Sequence, residues 1–413
     1  MRTTRRWRPL VVAAVVAFAA ACDGAAAPLP PQAPDAPVPG GDPITVGGTL
    51  GLTGTAPRAA ADRMAVYDFW VDEVNDDGGL LGRPVELLIY DDGSDPSKAA
   101  SLYQRLIAQE EVDLLLAPDV AALDAVFPLA ARNRMLLFNG GPSGADLVSD
   151  ARWMVDIVNY HEPDHPLAVF DLIATLPRDQ RPRRIGIATA RDPLTRRVRD
   201  GVGGEGGVLT LAQRRGIDVV VDEEYAADAA DLSGVVQRAA ARDVDLFFAL
   251  SLPTDAALLA RAARRSGFAP DIYCSCGAPV TTMPGWSDLG PAGDDIMTTA
   301  AAWPVDGHVD VAAVAGHVAS VLGHDELPVH LTCAYALLQV LEQAVQGTGS
   351  LDQGALRTYV TDRTIETVAG PIAYGPDGLP EPAGVLLQYR GDRNVVVWPP
   401  HRATAAPEIP MGG

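Results

Sequence analysis

The sequence predicts an α/β protein of two Rossmann-like lobes, each a parallel sheet with helices on both faces. Three observations lead there. Short apolar runs, among them V-D-L-L-L-A at 112–117 and R-I-G-I-A-T at 184–189, alternate with longer amphipathic patterns. The stretch N-D-D-G-G-L-L-G-R-P-V-E-L-L-I-Y-D-D-G-S-D-P, from Asn75 to Pro96, spells a helix end, a glycine turn, a strand and a capped helix. Finally, Asp95-Pro-Ser, a helix and Val112-Asp-Leu are echoed by Asp231-Leu-Ser, a helix and Val244-Asp-Leu. Two similar lobes explain that echo better than one long sheet.

The elements follow in order. Residues 44–50 (I-T-V-G-G-T-L) form the first strand, and a Gly/Thr/Pro loop follows at 51–57. An amphipathic helix over 64–74 stops at Gly78-Gly79, residues able to take the positive φ of a helix C-terminus. Leu80 and Leu81 fold back as an apolar plug, and Gly82-Arg83-Pro84 launches the strand 85–90. Ser94 or Asp95 caps a helix over 96–109, with Pro96 at its first position. Strand 112–117, helix 121–132, strand 135–138 and the loop N-G-G-P-S-G at 139–144 come next. The pattern then repeats. Strand 184–189 leads to an arginine-rich helical segment ending at Gly216, strand residues 219–221 with Tyr225, and a helix after Ser233. Strand 246–250 and helix 254–266, ending at Gly267, close the repeat. Helices at 309–322, 331–346 and 351–361 precede an antiparallel ribbon from 372–374, 385–389 and 395–398. The Pro/Ala-rich tail from Pro399 reads as loose.

Composition bounds the function. Hydrophobic residues make up 48% of the 413 and charged residues 21%, the balance of a globular chain with room for two or three domains. A net charge of −21 argues against nucleic acid, whose binding rests on neutralising phosphates. Residues 1–21 read as an export signal: arginines in 1–9, then an apolar run at 10–21 too short to span a bilayer. Ala19 and Ala21 fit ordinary cleavage. A-A-A-Cys22 resembles a bacterial lipoprotein signal, with Ala19 where leucine is usual, and the Pro/Ala-rich spacer at 22–43 favours a lipid on Cys22. Cys274, Cys276 and Cys333 then remain, so at least one is unpaired; three buried thiols and one disulfide are both open readings.

Several motifs suggest chemistry and then lose it. His161-Glu-Pro-Asp-His165 matches H-E-x-x-H, yet Pro163 and Pro166 oppose the helix that zinc proteolysis requires. The run reads instead as a solvated hinge loop, with Tyr160, His161 and Glu162 at the first crossing as the candidates to touch a ligand. The glycine-rich G-V-G-G-E-G-G at 201–207 lacks the Gly-Lys-Ser/Thr of a phosphate loop, and C-S-C at 274–276 lacks redox or metal spacing. No nucleophile–base set emerges from spacing, so no enzyme, metal or cofactor is expected.

Taken together, the residues resemble the periplasmic solute-binding proteins of the branched-chain amino acid (leucine/isoleucine/valine) type. The resemblance rests on Leu52-Thr-Gly54, the N-x-x-G-G-L-x-G-R-P-V run from Asn75, and Asp91 to Pro96. It continues through Asp231-Leu-Ser, Val244-Asp, Gly267-Phe, Ala334-Tyr, Gly370-Pro-Ile and Asp377-Gly, covering about 44–399. It implies a type I periplasmic binding protein with two lobes joined by a three-crossing hinge, the crossings falling near 155–160, 298–304 and 367–370. The expected division is a signal peptide at 1–21, a linker at 22–43, lobe 1 at 44–157 plus 301–369, lobe 2 at 158–300 plus 370–398, and a tail at 399–413.

Ligands of open parallel sheets bind beyond the carboxyl ends of the strands. That nominates the loops at 53–59, 118–122, 139–143 and 251–253. The candidate ligand-binding residues are Thr53, Ala59, Ala121, Ala122, Gly141, Pro142, Ser143, Tyr160, Arg191, Ser251 and Cys276. The resemblance places Ala121 where a hydroxyl meets the ligand carboxylate, keeps Ser143 at the second hydroxyl position, puts Ala59 at an aromatic position and Cys276 at the acid that pairs an ammonium. These departures imply an amide, another small polar solute, or a carboxylate lacking the amine. The expected protein is a monomeric, lipid-anchored, exported binder that serves ABC permease subunits in the membrane. A sensory lipoprotein of the same fold is the alternative.

Overall fold

The computed structural model describes residues 38–141, 152–158, 164–226, 229–276, 279–283, 285–300, 302–304, 310–324, 327–375, 379–380 and 384–411. The echo in the sequence has its physical basis at two glycines. Gly47 lies on β1 (Ile44–Leu50), and a Cβ there would sit 3.0 Å from both methyls of Val112. Asp113 then accepts the Thr45 amide at 2.9 Å, stapling the start of β1 to the next strand. In the second lobe Gly186, on β6 (Arg184–Ala190), meets Val244 at the same 3.0 Å. Asp245 accepts the amides of Arg183 and Arg184 at 2.9 and 2.7 Å. Each Val-Asp pair thus fills a slot over a strand glycine and caps that strand's free amides.

The first sheet adds β2 (Val85–Asp91), β3 (Leu114–Leu116), β4 (Leu137–Asn139) and β5 (Met154–Asp156), in the parallel order β2-β1-β3-β4-β5. One face packs on α1 (Pro57–Asp76) and α10 (Val329–Thr348), the other on α2 (Pro96–Ala108) and α3 (Val120–Arg132). Asp95 is the N-cap of α2, its carboxylate accepting from the amides of Ser97 and Lys98. The turn before β2 is less of a plug than expected: Leu80 is fully buried, whereas Leu81 is 39% exposed. Leu81 has positive φ there, which turns its side chain outward.

The second sheet runs β14-β13-β10-β9-β8-β6-β7. Its parallel strands β6, β7 (Asp218–Tyr225), β8 (Leu246–Leu250), β9 (Ile272–Cys276) and β10 (Met297–Ala300) are extended by the hairpin β13 (Val385–Arg390) and β14 (Arg393–Trp398). Helices α4 (Leu167–Thr175), α5 (Pro193–Asp200) and α6 (Val208–Arg215) accompany this sheet, as do α7 (Ser233–Ala240) and α8 (Pro253–Ser266). The chain passes between the sheets three times: after β5, after β10 towards α9 (Val311–His317), and after β12 towards β13. Here β11 (Ile365–Thr367) and β12 (Gly370–Ile372) form a small hairpin that follows α11 (Gln353–Thr361). Residues 367–370 are therefore a hairpin turn, and Ile372 pairs with Ile365 instead of joining the closing ribbon.

The tail is not loose. Gln388, fully buried on β13, bonds the backbone of Glu408 in both directions at 2.9 and 3.0 Å, and the Thr404 amide donates to Val396 at 2.8 Å. Polar side chains on β13 supply the partners that a Pro/Ala-rich segment cannot supply for itself. Among the described residues no helix is long and apolar enough to cross a membrane.

A half-buried ionisable group, Glu342, sits between α1 and α10. The Trp70 indole donates to Glu342 at 3.0 Å. Burial raises the Glu342 pKa, the Trp70 bond opposes that rise, and Asp310 and Asp77 add to it. A folded-state pKa above the unfolded value means the native state holds more protons, so stability falls as pH rises through that window. Glu342→Gln keeps an acceptor for Trp70 and removes the charge. It should raise Tm by roughly 1–2 °C at pH 7.5 and by nothing at pH 3, read by calorimetry at both values.

Candidate functional site

At the carboxyl ends of β1 and β3, the N-termini of α1 and α3 converge on a cavity of about 250 Å³. Its walls are Thr55, Ala56, Ala59, Ala60, Arg63, Asp92, Ser94, Asp119, Val120, Ala121 and Ala122, all from the first lobe. Asp119 is the N-cap residue of α3, a place where aspartate usually bonds its own helix, yet no side-chain cap bond forms. The carboxylate turns to Arg63 instead, whose Nη1 donates to Oδ1 at 2.8 Å. Burial works against the Arg63 proton, but Tyr67 and Asp119 outweigh it and raise the guanidinium pKa. The cavity therefore presents a fixed cation, a carboxylate and the uncapped first turn of α3, between alanine walls.

The rim is held by β2. The register of β1 on β2 sets Leu50 beside Asp91, bringing both acids of D-D-G-S to the sheet tip. Asp92, fully buried, accepts from the Thr49 hydroxyl at 2.7 Å and the Ser94 amide at 2.8 Å. Its charge is thus satisfied by the loop. Ser94 in turn accepts from the Thr55 amide at 3.1 Å. The hydroxyls of the cavity hold the loop together, and none is set against a base that could activate it. His330, in the first turn of α10, is exposed and feels the charge of Arg63. Desolvation and then Arg63 push its pKa down to about 4, although its ring reaches solvent, which screens part of that effect. It is neutral at physiological pH. His324 Nε2 lies 3.0 Å from Asp62, and burial pushes the Cys333 thiol up to about 12, so that thiol is not a nucleophile. Among the described residues no group of three or more His, Cys, Asp or Glu could hold a metal. A second hollow of about 440 Å³ lies between α4, the end of β14 and the C-terminal segment, but no titratable side chain lines it.

A sequence profile described as periplasmic binding protein matches residues 43–393. The chain belongs to that family. Its members bind solutes rather than transform them, and membership implies export. Among solved structures, the binding protein is similar to one from Silicibacter pomeroyi described as a branched-chain amino acid ABC transporter (TM-score 0.76, 16% identity, 89% of this chain and 99% of that one). It is also similar to LivJ from Streptococcus pneumoniae, solved with isoleucine (TM-score 0.67, 14% identity, 90% and 100%). A third is a Rhodopseudomonas palustris solute-binding protein solved with benzoate (TM-score 0.67, 18% identity, 90% and 100%). At these identities the likeness is one of fold. The chemotactic substrate-binding protein BasB of Halobacterium salinarum is 31% identical over 115 residues, spanning 27% of this chain and 28% of that relative.

In the binding protein, Ala59, Ala121 and Ala122 line the cavity, and a Cβ on Gly141 would lie 3.3 Å from the Val120 methyl beside it. Thr53 is turned away: its amide and hydroxyl both donate to Asp91, which fixes the loop. Pro142, Ser143 and Tyr160 lie outside the described residues, as does Cys22. The H-E-x-x-H run is partly outside them too, and α4 begins at Leu167, after both of its histidines. Across the hinge, Arg191 is exposed at the tip of β6. Ser251 is 1% exposed and lies against Tyr225, whose phenol pKa burial raises, so its hydroxyl faces the lobe interior. Cys276 is a correction: it is fully buried and bridged to Cys274, with no thiol and no surface to offer a ligand. The same bridge leaves Cys333 as the free, buried cysteine among those described. Sequence reasoning named neither Arg63 nor Asp119 as a site residue, although Asp119 falls in the nominated loop 118–122; the two are 56 residues apart. The signal for Arg63 was a charge within the alanine-rich first turns of α1, and for Asp119 an acid directly before α3.

Proposed function

We propose that this binding protein captures a small polar solute in the cavity between α1 and α3, closes its second lobe over it, and releases it to an ABC importer. The observation that carries the reading is the placement of Arg63, Asp119 and the uncapped end of α3 around one hollow at the strand tips. Opposite charges beside small apolar walls suit a compact solute with a polar head, amino-acid-like, amide or carboxylate. Closure is driven by the solute's greater affinity for the closed form. The lobe boundaries 44–157 plus 301–369 and 158–300 plus 370–398, a lipid on Cys22 that tethers the chain near the permease, and action as a monomer belong to the same proposal.

The test is a thermal-shift screen of the purified chain over amino acids, amides, carboxylates and small polyols. A solute present at a hundred times its Kd stabilises the native state by about 2.7 kcal/mol. At least one compound should raise Tm by several degrees, and a screen in which none does would sink solute capture. The partial similarity to BasB favours a second reading, delivery of the bound solute to a signalling partner. Deleting the gene separates the two: loss of solute uptake marks transport, and loss of response with uptake intact marks sensing.

A further inference from the structure

The C-terminal segment 399–411 runs from the end of β14 along the second lobe and is fastened there at several points. Val396 and Thr404 bond each other, the Thr404 amide to the Val396 carbonyl at 2.8 Å and the Val396 amide to Oγ1 of Thr404 at 3.1 Å. Gln388 holds Glu408, Arg390 pairs with the Glu408 carboxylate at 3.3 Å, and the Met411 amide donates to the Asp271 carbonyl at 3.1 Å. Ile409 and Met411 pack on the two cores of that lobe.

Arg402 points the other way. Its Nη2 donates to the Trp303 carbonyl at 2.9 Å and to the Ala369 carbonyl at 3.2 Å. Trp303 belongs to the passage after β10, and Ala369 to the turn of the β11–β12 hairpin; both pack on the apolar cluster that fills the first lobe and continues to Val385, Leu387 and Val396 of β13 and β14. That turn is itself rigid. The Val368 amide donates to Gln339 at 2.7 Å, and the Thr367 hydroxyl bonds the Gly370 carbonyl at 2.7 Å. Tyr374 ties the remaining passage, its hydroxyl donating to the Asp156 carbonyl at 2.9 Å. Arg402 is half-buried and desolvation lowers its guanidinium pKa, so water replaces its hydrogen bonds only in part.

We propose that residues 399–411 are a strap that sets the resting angle between the lobes, with Arg402 as its latch across the hinge. Rotation of one lobe against the other displaces a side chain rooted in the second lobe from a carbonyl on the passage after β10 and a carbonyl on the β11–β12 turn. Where the working motion is lobe closure, as in the reading above, the latch also sets solute affinity, because the apparent Kd scales inversely with the fraction in the binding-competent angle.

The test needs no ligand, so its outcome is independent of whether any solute is found. Spin labels on Gln104→Cys in α2 and Gln213→Cys in α6, both exposed positions, report the interlobe distance by double electron–electron resonance in a Cys22→Ser background. Cys333 is buried and the other two cysteines are bridged, so none of the three takes label. In the full-length chain, Arg402→Met should shift the main distance or roughly double the width of the distribution. Arg402→Lys, which keeps the charge but not the fork, should fall between. A folded Arg402→Met variant whose distribution superimposes on the parent overturns the strap. Should that variant unfold, Arg402→Lys is read by the same criterion.

Discussion

Ala121→Trp is expected to weaken solute binding about a hundredfold, equivalent to about 2.7 kcal/mol, while leaving the unliganded protein folded. Ala121 is exposed in the first turn of α3 and lines the 250 Å³ cavity, so an indole placed there occupies the space the solute needs. It displaces no core atom, and surface substitutions of this kind usually change stability by no more than about 0.5 kcal/mol. The measurement is calorimetric titration of the best compound from the thermal-shift screen. Asp124→Trp, exposed on α3 and outside the cavity lining, is the control and should bind as the parent does. An Ala121→Trp protein that binds within twofold of the parent would move the site off this cavity.

Trp70→Ala should have the largest effect on stability, a loss of about 3–5 kcal/mol. The indole is 1% exposed in the seam between α1 and α10 and is the donor to Glu342. Truncation opens a cavity and also strips a half-buried carboxylate of its partner. Trp70→Phe separates the two contributions: it keeps most of the apolar volume and loses the hydrogen bond, so it should cost about 1–2 kcal/mol. Urea unfolding reads both, with the midpoint falling and the slope unchanged. A cost under about 1 kcal/mol for the alanine variant would mean that this seam is not what holds α1 to its sheet.

The expectations drawn from residues succeeded where local chemistry is unambiguous. The glycine turn after α1, the Asp95 cap with Pro96 behind it, and the Gly267 stop of α8 depend on backbone geometry that few residues provide. They failed where a strand carries no apolar run. β9 (I-Y-C-S-C) and β10 (M-T-T-A) are completely buried, yet their Cys, Ser and Thr content does not read as a central strand. β5 has three residues, and α4 is apolar on most of its circumference, so neither shows a period.

The sequence by itself determined the repeated α/β plan, because glycine turns, helix caps and apolar alternation each act within one element or its immediate neighbours. Only the tertiary structure decided which charges share the cavity, how the cysteines pair, and whether the tail is held. Arg63 with Asp119, and Arg402 with Trp303 and Ala369, join segments separated by at least 33 residues. Such pairs leave no periodic trace in the chain: each partner is locally an ordinary polar residue, and its meaning comes from the fold that closes the distance.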